Sequence, residues 1–157
     1  MTLRDAPVVK AQMLIRRPAA EVYQAFVDPT IASRFWFTGS SGHLESGKVL
    51  RWDWDMYGVS AQVLVLEMKQ DRRILIEWGE PRCTVEWIFV ERLDNTTLVT
   101  ISSWGFTGND DEIIAKALDS MGGFTSVLAG LKALLEHNVV LNLVADHNPD
   151  AHRSAQQ

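Results

Sequence analysis

Residues 121–138, MGGFTSVLAGLKALLEHN, carry the apolar pattern that most restricts how this chain can fold. At 100° per residue, Phe124, Val127, Leu128, Leu131, Leu134 and Leu135 share an arc of about 120°, as an amphipathic helix requires. Thr125, Ser126, Lys132, Glu136 and His137 take the other side, with Ala129, Gly130 and Ala133 as small fillers. Burying each large apolar side chain is worth about 1.5–3 kcal/mol, so this helix demands a broad apolar partner. The strands that precede it are the candidate. The chain therefore reads as a sheet wrapped round its C-terminal helix.

Bulk properties narrow the class. A chain of 157 residues with 46% hydrophobic and 22% charged residues suits one globular domain. A formal charge of -5 and a pI near 5.3 argue against a nucleic-acid partner, which needs a concentrated basic surface. Arg16-Arg17 and Arg72-Arg73 are the dense basic spots, and both fall at expected strand ends, where solvated charges belong. Cys83 is the single cysteine, so no intrachain disulfide can form. No apolar run approaches the ~20 residues that span a bilayer, and no signal-peptide pattern opens the chain. A cytoplasmic location is expected. Six tryptophans are unusual in so short a chain and become the main functional clue.

In chain order, Val8 to Arg16 reads as a strand. Pro18 opens a short helix with Val22 and Phe26 on its buried edge, and Asp28-Pro29 ends it and caps a second, which carries Ile31 and Phe35 into Trp36-Phe37. Thr38 to Gly42 is read as a loop; no lysine follows at phosphate-cradle spacing. Lys48 to Asp55 alternates, with Leu50, Trp52 and Trp54 opposite Arg51, Asp53 and Asp55. Further strands are expected at 60–68, 73–78, 84–92 and 96–103, with Asp94-Asn95 as a hairpin turn. Asn109 with Asp110, Asp111 and Glu112 matches a capping box. Gly122-Gly123 is expected to bend or break the helix that follows, and Asn138 to stop the main one in a left-handed cap. Val139 to Ala145 adds a short helical turn, and 146–157 reads as a frayed polar tail. Short turns between successive strands imply an antiparallel meander, one face apolar and one wet.

This order, with PAAEVYQAFVDPTIASRFW (18–36), GKVLRWDW (47–54), RRILIEW (72–78), SSWGF (102–106) and LAGLKALLEHN (128–138), resembles the helix-grip fold of the START-like, or SRPBCC, superfamily. Within it the chain is similar to the AHSA-type branch and to small polyketide cyclase-like bacterial proteins, the latter also through VVLNLVADHNPD (139–150). The resemblance implies an α+β domain over residues 1–145, with a curved sheet of about seven strands round a long C-terminal helix and two short helices after the first strand. It also implies a cavity between sheet and helix that in such proteins often holds an apolar ligand. It carries no defined activity, since carriers, cyclases, hydrolases and co-chaperones share the fold.

The tryptophans give that cavity its candidate wall. Trp52, Trp54, Trp78 and Trp87 on one face either fill the space beneath the helix or line a site for a lipid-like or aromatic molecule. The expected ligand-binding set is Trp36, Trp52, Trp54, Tyr57, Ile76, Trp78, Trp87, Phe89, Phe106, Phe124, Leu128 and Leu131, with Trp36, Tyr57 and Phe106 at the mouth. Acid–base chemistry would need an inward carboxylate or histidine. Asp53 and Asp55 point to the wet face by alternation, Glu45 and Glu67 have no assigned direction, His43 reads as a surface residue and Cys83 as structural. Tyr57, His43 and Glu45 are the guesses for a cyclase- or hydrolase-type enzyme. Asp146, His147, Asp150 and His152 match no closed metal site, so neither metal nor cofactor is expected. Val139, Val140 and Leu141 suit either internal packing or a homodimer contact.

Overall fold

The computed structural model describes residues 3–151. Seven strands form one antiparallel sheet: β1 (Val9–Ile15), β2 (Gly39–Ser40), β3 (Val49–Trp54), β4 (Val59–Lys69), β5 (Arg73–Trp78), β6 (Cys83–Glu91) and β7 (Thr97–Trp104). Helices α1 (Ala19–Val27) and α2 (Pro29–Ala32) follow β1, and α3 (Asp110–His137) and α4 (Leu143–His147) follow β7. The spatial order β1-β7-β6-β5-β4-β3-β2 is a meander from β2 to β7, with β1 added beside the last strand. A register shift between Val65 and Glu67 interrupts the β4–β5 ladder, and such bulges bend and twist a strand. This is the α+β helix-grip architecture.

Alternation along the strands decides which face closes on α3. Leu50, Trp52, Trp54, Ile74, Ile76, Val85, Trp87, Phe89, Val99 and Ile101 are all buried. Their neighbours along each strand turn outward. On that outer face Arg73 donates to Glu86 at 2.8 Å and to Glu67 at 2.7 Å, and Arg51 donates to Asp53 at 2.7 Å. Edge protection differs at the two ends of the sheet. β2 is only two residues long. The last turns of α3 cover the end of β1, where Lys132 donates to the Leu14 carbonyl (2.8 Å) and Glu136 accepts from the Arg16 N–H (2.9 Å).

The caps match the sequence expectation. Asp28 accepts from the Thr30 N–H at 2.9 Å, and Asn109 and Glu112 make the reciprocal capping box. Asn138 ends α3 in the left-handed conformation with φ 53°. Three local expectations need correction. Residues 38–42 are not all loop, because Gly39–Ser40 pair with Trp52 and Asp53. The second helix stops at Ala32, so Phe35 lies beyond it, packed edge-on to Phe26 at 5.4 Å. The Gly122-Gly123 pair does not break the helix, since α3 runs unbroken for 28 residues. Capping at both ends and burial of the following turns outweigh two residues that each cost about 1 kcal/mol relative to alanine.

The three glycines of α3 therefore differ in kind. A Cβ at Gly130 would meet the Cβ of Phe35 at 3.3 Å and its carbonyl oxygen at 3.4 Å, so this glycine lets the helix press on the segment after α2. A Cβ at Gly122 or Gly123 would meet nothing within 4 Å. Alanine at either of the last two positions is expected to raise stability by up to about 1 kcal/mol, whereas Gly130→Ala lowers it. Urea denaturation of the three variants at matched m-values checks the sign at each site.

Candidate functional site

Trp36, between α2 and β2, is the centre from which the site is built. Its indole is 5% exposed, and the rings of Phe26, Phe37, Trp52, Trp54, Trp78, Trp87 and Phe124 lie 4.8–6.3 Å away by centroid. Alternation on β3, β5 and β6 delivers the sheet tryptophans, and Phe124 arrives from the middle of α3. Phe124 lies nearly parallel to Trp78 at 5.9 Å and edge-on to Trp87 at 6.2 Å. Offset and edge-on geometries of this kind are the favoured ones for aromatic pairs.

On one side of this cluster the protein is solid, and on the other it is open. Of the buried residues of α3, only Ala117 precedes Phe124; Val127, Leu128, Gly130, Leu131 and Leu134 follow it. The C-terminal half thus grips the sheet. Against the N-terminal half lies a cavity of about 740 Å³. Its inner wall is Trp36, Trp54, Trp78, Phe124 and Val127. Tyr57 from the β3–β4 turn with Val59 at the start of β4, Glu80 and Pro81 from the β5–β6 turn with Cys83 at the start of β6, and Gly105 to Thr107 after β7 form its rim. Lys116, Asp119, Ser120 and Gly123 contribute the helix side, and Val144, His147, Asn148 and Ala151 close over it from the α4 segment.

The twelve candidate residues divide accordingly. Trp36, Trp54, Tyr57, Trp78, Phe106 and Phe124 line the cavity. Trp52, Ile76, Trp87, Phe89, Leu128 and Leu131 lie behind that wall, at most 4% exposed. Trp52 stacks on Phe37 at 5.0 Å, and the Trp87 indole N–H is buried with no acceptor among the described residues. Filling and lining are both true of the tryptophans, but of different ones. Trp36 is not the rim residue its loop position suggested; it is the floor. His43 instead faces Asp28 at 3.6 Å, Glu45 faces Lys48 at 3.8 Å, and Glu67 joins the outer-face pair with Arg73.

Lys116, Ser120 and Gly123 line the cavity without having been assigned to it from sequence, in line with Val127 of the apolar arc. Their spacing of four, three and four puts them on one side of a helix. That signal was present, but a helix expected to bend or break at Gly122-Gly123 hides it. The α4 residues had no signal, because only the fold brings them to the mouth.

The rim is polar, and its one thiol is not activated as a nucleophile. Lys116 donates to the Thr107 carbonyl at 2.7 Å, tying α3 to the loop before it. Burial holds the Cys83 thiol above its ordinary range, against opposing hydrogen bonds from Trp78 and Ser103, and a nucleophilic cysteine needs the reverse. Among the described residues, no group of three or more His, Cys, Asp or Glu side chains is placed to hold a metal ion; His152 lies outside them. The Tyr57 hydroxyl donates to the Val144 carbonyl, latching α4 over the opening. Burial raises the ionisation of Tyr57 above its ordinary 10.0, Asp119 and Asp146 add to this, and the Asn148 backbone N–H opposes it. Tyr23, the other tyrosine, is raised by burial and then by Asp71.

In the unfolded chain both phenols ionise near 10.0. Their contribution to stability is whole below that pH and falls as pH climbs through the higher folded values. A spectrophotometric titration of the native protein is therefore expected to find both tyrosines ionising above pH 10, and Tyr57→Phe to leave one such transition. The same variant is expected to speed amide exchange in residues 143–151 by several-fold, as loss of a hydrogen bond worth about 1 kcal/mol implies. Unchanged exchange there would mean that the hydroxyl does not hold the segment.

Comparison with known proteins agrees with this architecture. SSP2350 of Staphylococcus saprophyticus, a crystal structure, is 27% identical and superposes with a TM-score of 0.74, over 86% of this chain and 96% of its own. DynU16, from the dynemicin biosynthetic locus, is 20% identical with a TM-score of 0.74, over 85% of this chain and 48% of its own. The Aha1 dimer from Colwellia psychrerythraea is 15% identical with a TM-score of 0.69, over 83% and 97%. Among curated proteins, no sequence match was found. The family model described as Activator of Hsp90 ATPase homolog 1-like protein matches residues 16–136, more than half of the chain. Sheet, gripping helix and family match agree, and the chain belongs to the Activator of Hsp90 ATPase homolog 1-like family, within the START-like superfamily.

Proposed function

We propose that this protein binds a hydrophobic small molecule, lipid-like or aromatic, in the cavity between the sheet and the N-terminal half of α3. The observation that carries the proposal is a space of about 740 Å³ walled by Trp36, Trp54, Trp78 and Phe124. Sites for small ligands are typically concave and largely apolar, of about 300–1,000 Å³, with a few polar groups at defined places. Tyr57 and Phe106 complete the contact set, and Trp52, Ile76, Trp87, Phe89, Leu128 and Leu131 hold the wall from behind. In this proposal residues 1–145 are one cytoplasmic domain, and His147, Asn148 and Ala151 beyond it serve the mouth. Among the described residues no helix is long and apolar enough to cross a membrane.

A cyclase- or hydrolase-type enzyme is the second reading. Tyr57, Glu80, Cys83, Lys116, Asp119 and His147 bring ionisable groups to the same cavity, which is what favours it. Tyr57 is the one of the three sequence candidates at that wall. A co-chaperone role ranks below both, because paired charges such as Arg73 with Glu67 and Glu86 cross the outer sheet face. The exposed run Val139, Val140 and Leu141, each 42–44% accessible, is the candidate homodimer contact.

Titration with a panel of fatty acids and polycyclic aromatics is expected to quench tryptophan fluorescence saturably, and Trp78→Ala to weaken the binding by about tenfold or more. Absence of any saturable change across the panel, with the protein folded, would defeat the proposal.

A further inference from the structure

We infer that Gly123 is the position that sets which ligands this cavity admits, and that its missing side chain leaves room for a rigid, flat ring system. The inference rests on the binding proposal above and goes beyond it by naming the ligand's shape and the residue that selects for it.

Glycine inside a helix needs a reason, because it lowers stability relative to alanine. The ordinary reasons fail at this position. Gly123 lies in the uninterrupted span of α3, so it is not a cap or a break. No neighbour crowds it: a Cβ there would meet nothing within 4 Å. Gly130, in the same helix, shows what a packing glycine looks like, with Phe35 pressed against it. What Gly123 does face is the cavity, which it lines together with Ser120, Phe124 and Val127. Gly123 is itself exposed, whereas Phe124 and Val127 are buried, so it stands on the open side, where a side chain would project into the path of an entering molecule. Gly122 is also exposed and uncrowded but does not line the cavity, and nothing in the structure explains it.

The shape of the ligand follows from what surrounds this gap. Trp36, Trp54, Trp78 and Phe124 present ring faces and edges, and Trp78 and Phe124 lie within 27° of parallel. Fused rings gain from stacking on such a wall. They also cannot bend past an obstruction, whereas a flexible acyl chain can. A gap kept clear at the rim therefore matters most to a rigid guest, and a side chain placed there acts as a steric element against it.

The test compares Gly123→Leu, Gly123→Ala and Gly122→Leu with the wild type, using anthraquinone-2-sulfonate as the rigid probe and lauric acid as the flexible one. Leucine is a good helix former, so the variants are expected to melt at or above the wild-type temperature. Gly123→Leu is expected to weaken quinone binding by about tenfold or more and lauric acid binding by no more than about twofold. Gly123→Ala is expected to fall between, and Gly122→Leu to bind both as wild type does. Quinone binding unchanged in Gly123→Leu overturns the inference, as does an equal loss in Gly122→Leu, which would trace the effect to the helix. A wild type that binds lauric acid but not the quinone overturns the rigid-ligand inference and leaves the binding proposal standing. Failure of the wild type to bind either probe, or any of the wider panel, removes the proposal and this inference together.

Discussion

The fold depends on one wedge, the indole of Trp36 set between Phe124 of the gripping helix and the tryptophans of the sheet. Indole and phenyl groups bury large areas, and well-oriented pairs add about 0.5–1.5 kcal/mol each beyond that area. They are also stiff. Aliphatic side chains could rotate and close over a neighbouring space, but rings with two torsions keep their planes. One cluster can therefore anchor the helix and still leave about 740 Å³ open beside it.

That wedge divides α3 into two working halves. Beyond Phe124, Val127, Leu128, Leu131 and Leu134 make continuous core, and Gly130 lets the helix backbone approach Phe35. Before Phe124, the helix presents Lys116, Asp119, Ser120 and Gly123 to the cavity and contributes only Ala117 to the buried set. Stability and access are thus assigned to different turns of one helix. The charged groups follow the same division: those of the outer sheet face pair with each other, while Glu80, Lys116, Asp119 and His147 border the cavity.

Much of this was legible in the chain. Period-two alternation identified the buried face of the strands, and the helical arc from Phe124 to Leu135 identified the element that covers it. The caps at Asp28, Asn109 and Asn138 were visible because a cap is satisfied within a few residues of itself. Of the bend or break expected at Gly122-Gly123, the break is absent, because local propensity ignores the capping box behind the pair and the core ahead of it. That single error also hid Lys116, Ser120 and Gly123, which continue the line of Val127 toward the N-terminus of the helix. The division of the tryptophans was not legible at all. Trp52 and Trp54 share a face and a strand, yet Trp52 stacks against Phe37 in the core while Trp54 reaches the cavity wall.

What the sequence alone determined is the class of fold, because periodicity and capping are local and repeat often enough to over-specify each element. It also determined that one face of the sheet would be aromatic. Whether that aromatic face enclosed a space depended on distances between elements far apart in the chain: Trp36 against Phe124, and Tyr57 against the carbonyl of Val144. A void is the part of the volume that no side chain occupies. No residue encodes it, so it exists only once the elements that surround it have been packed together.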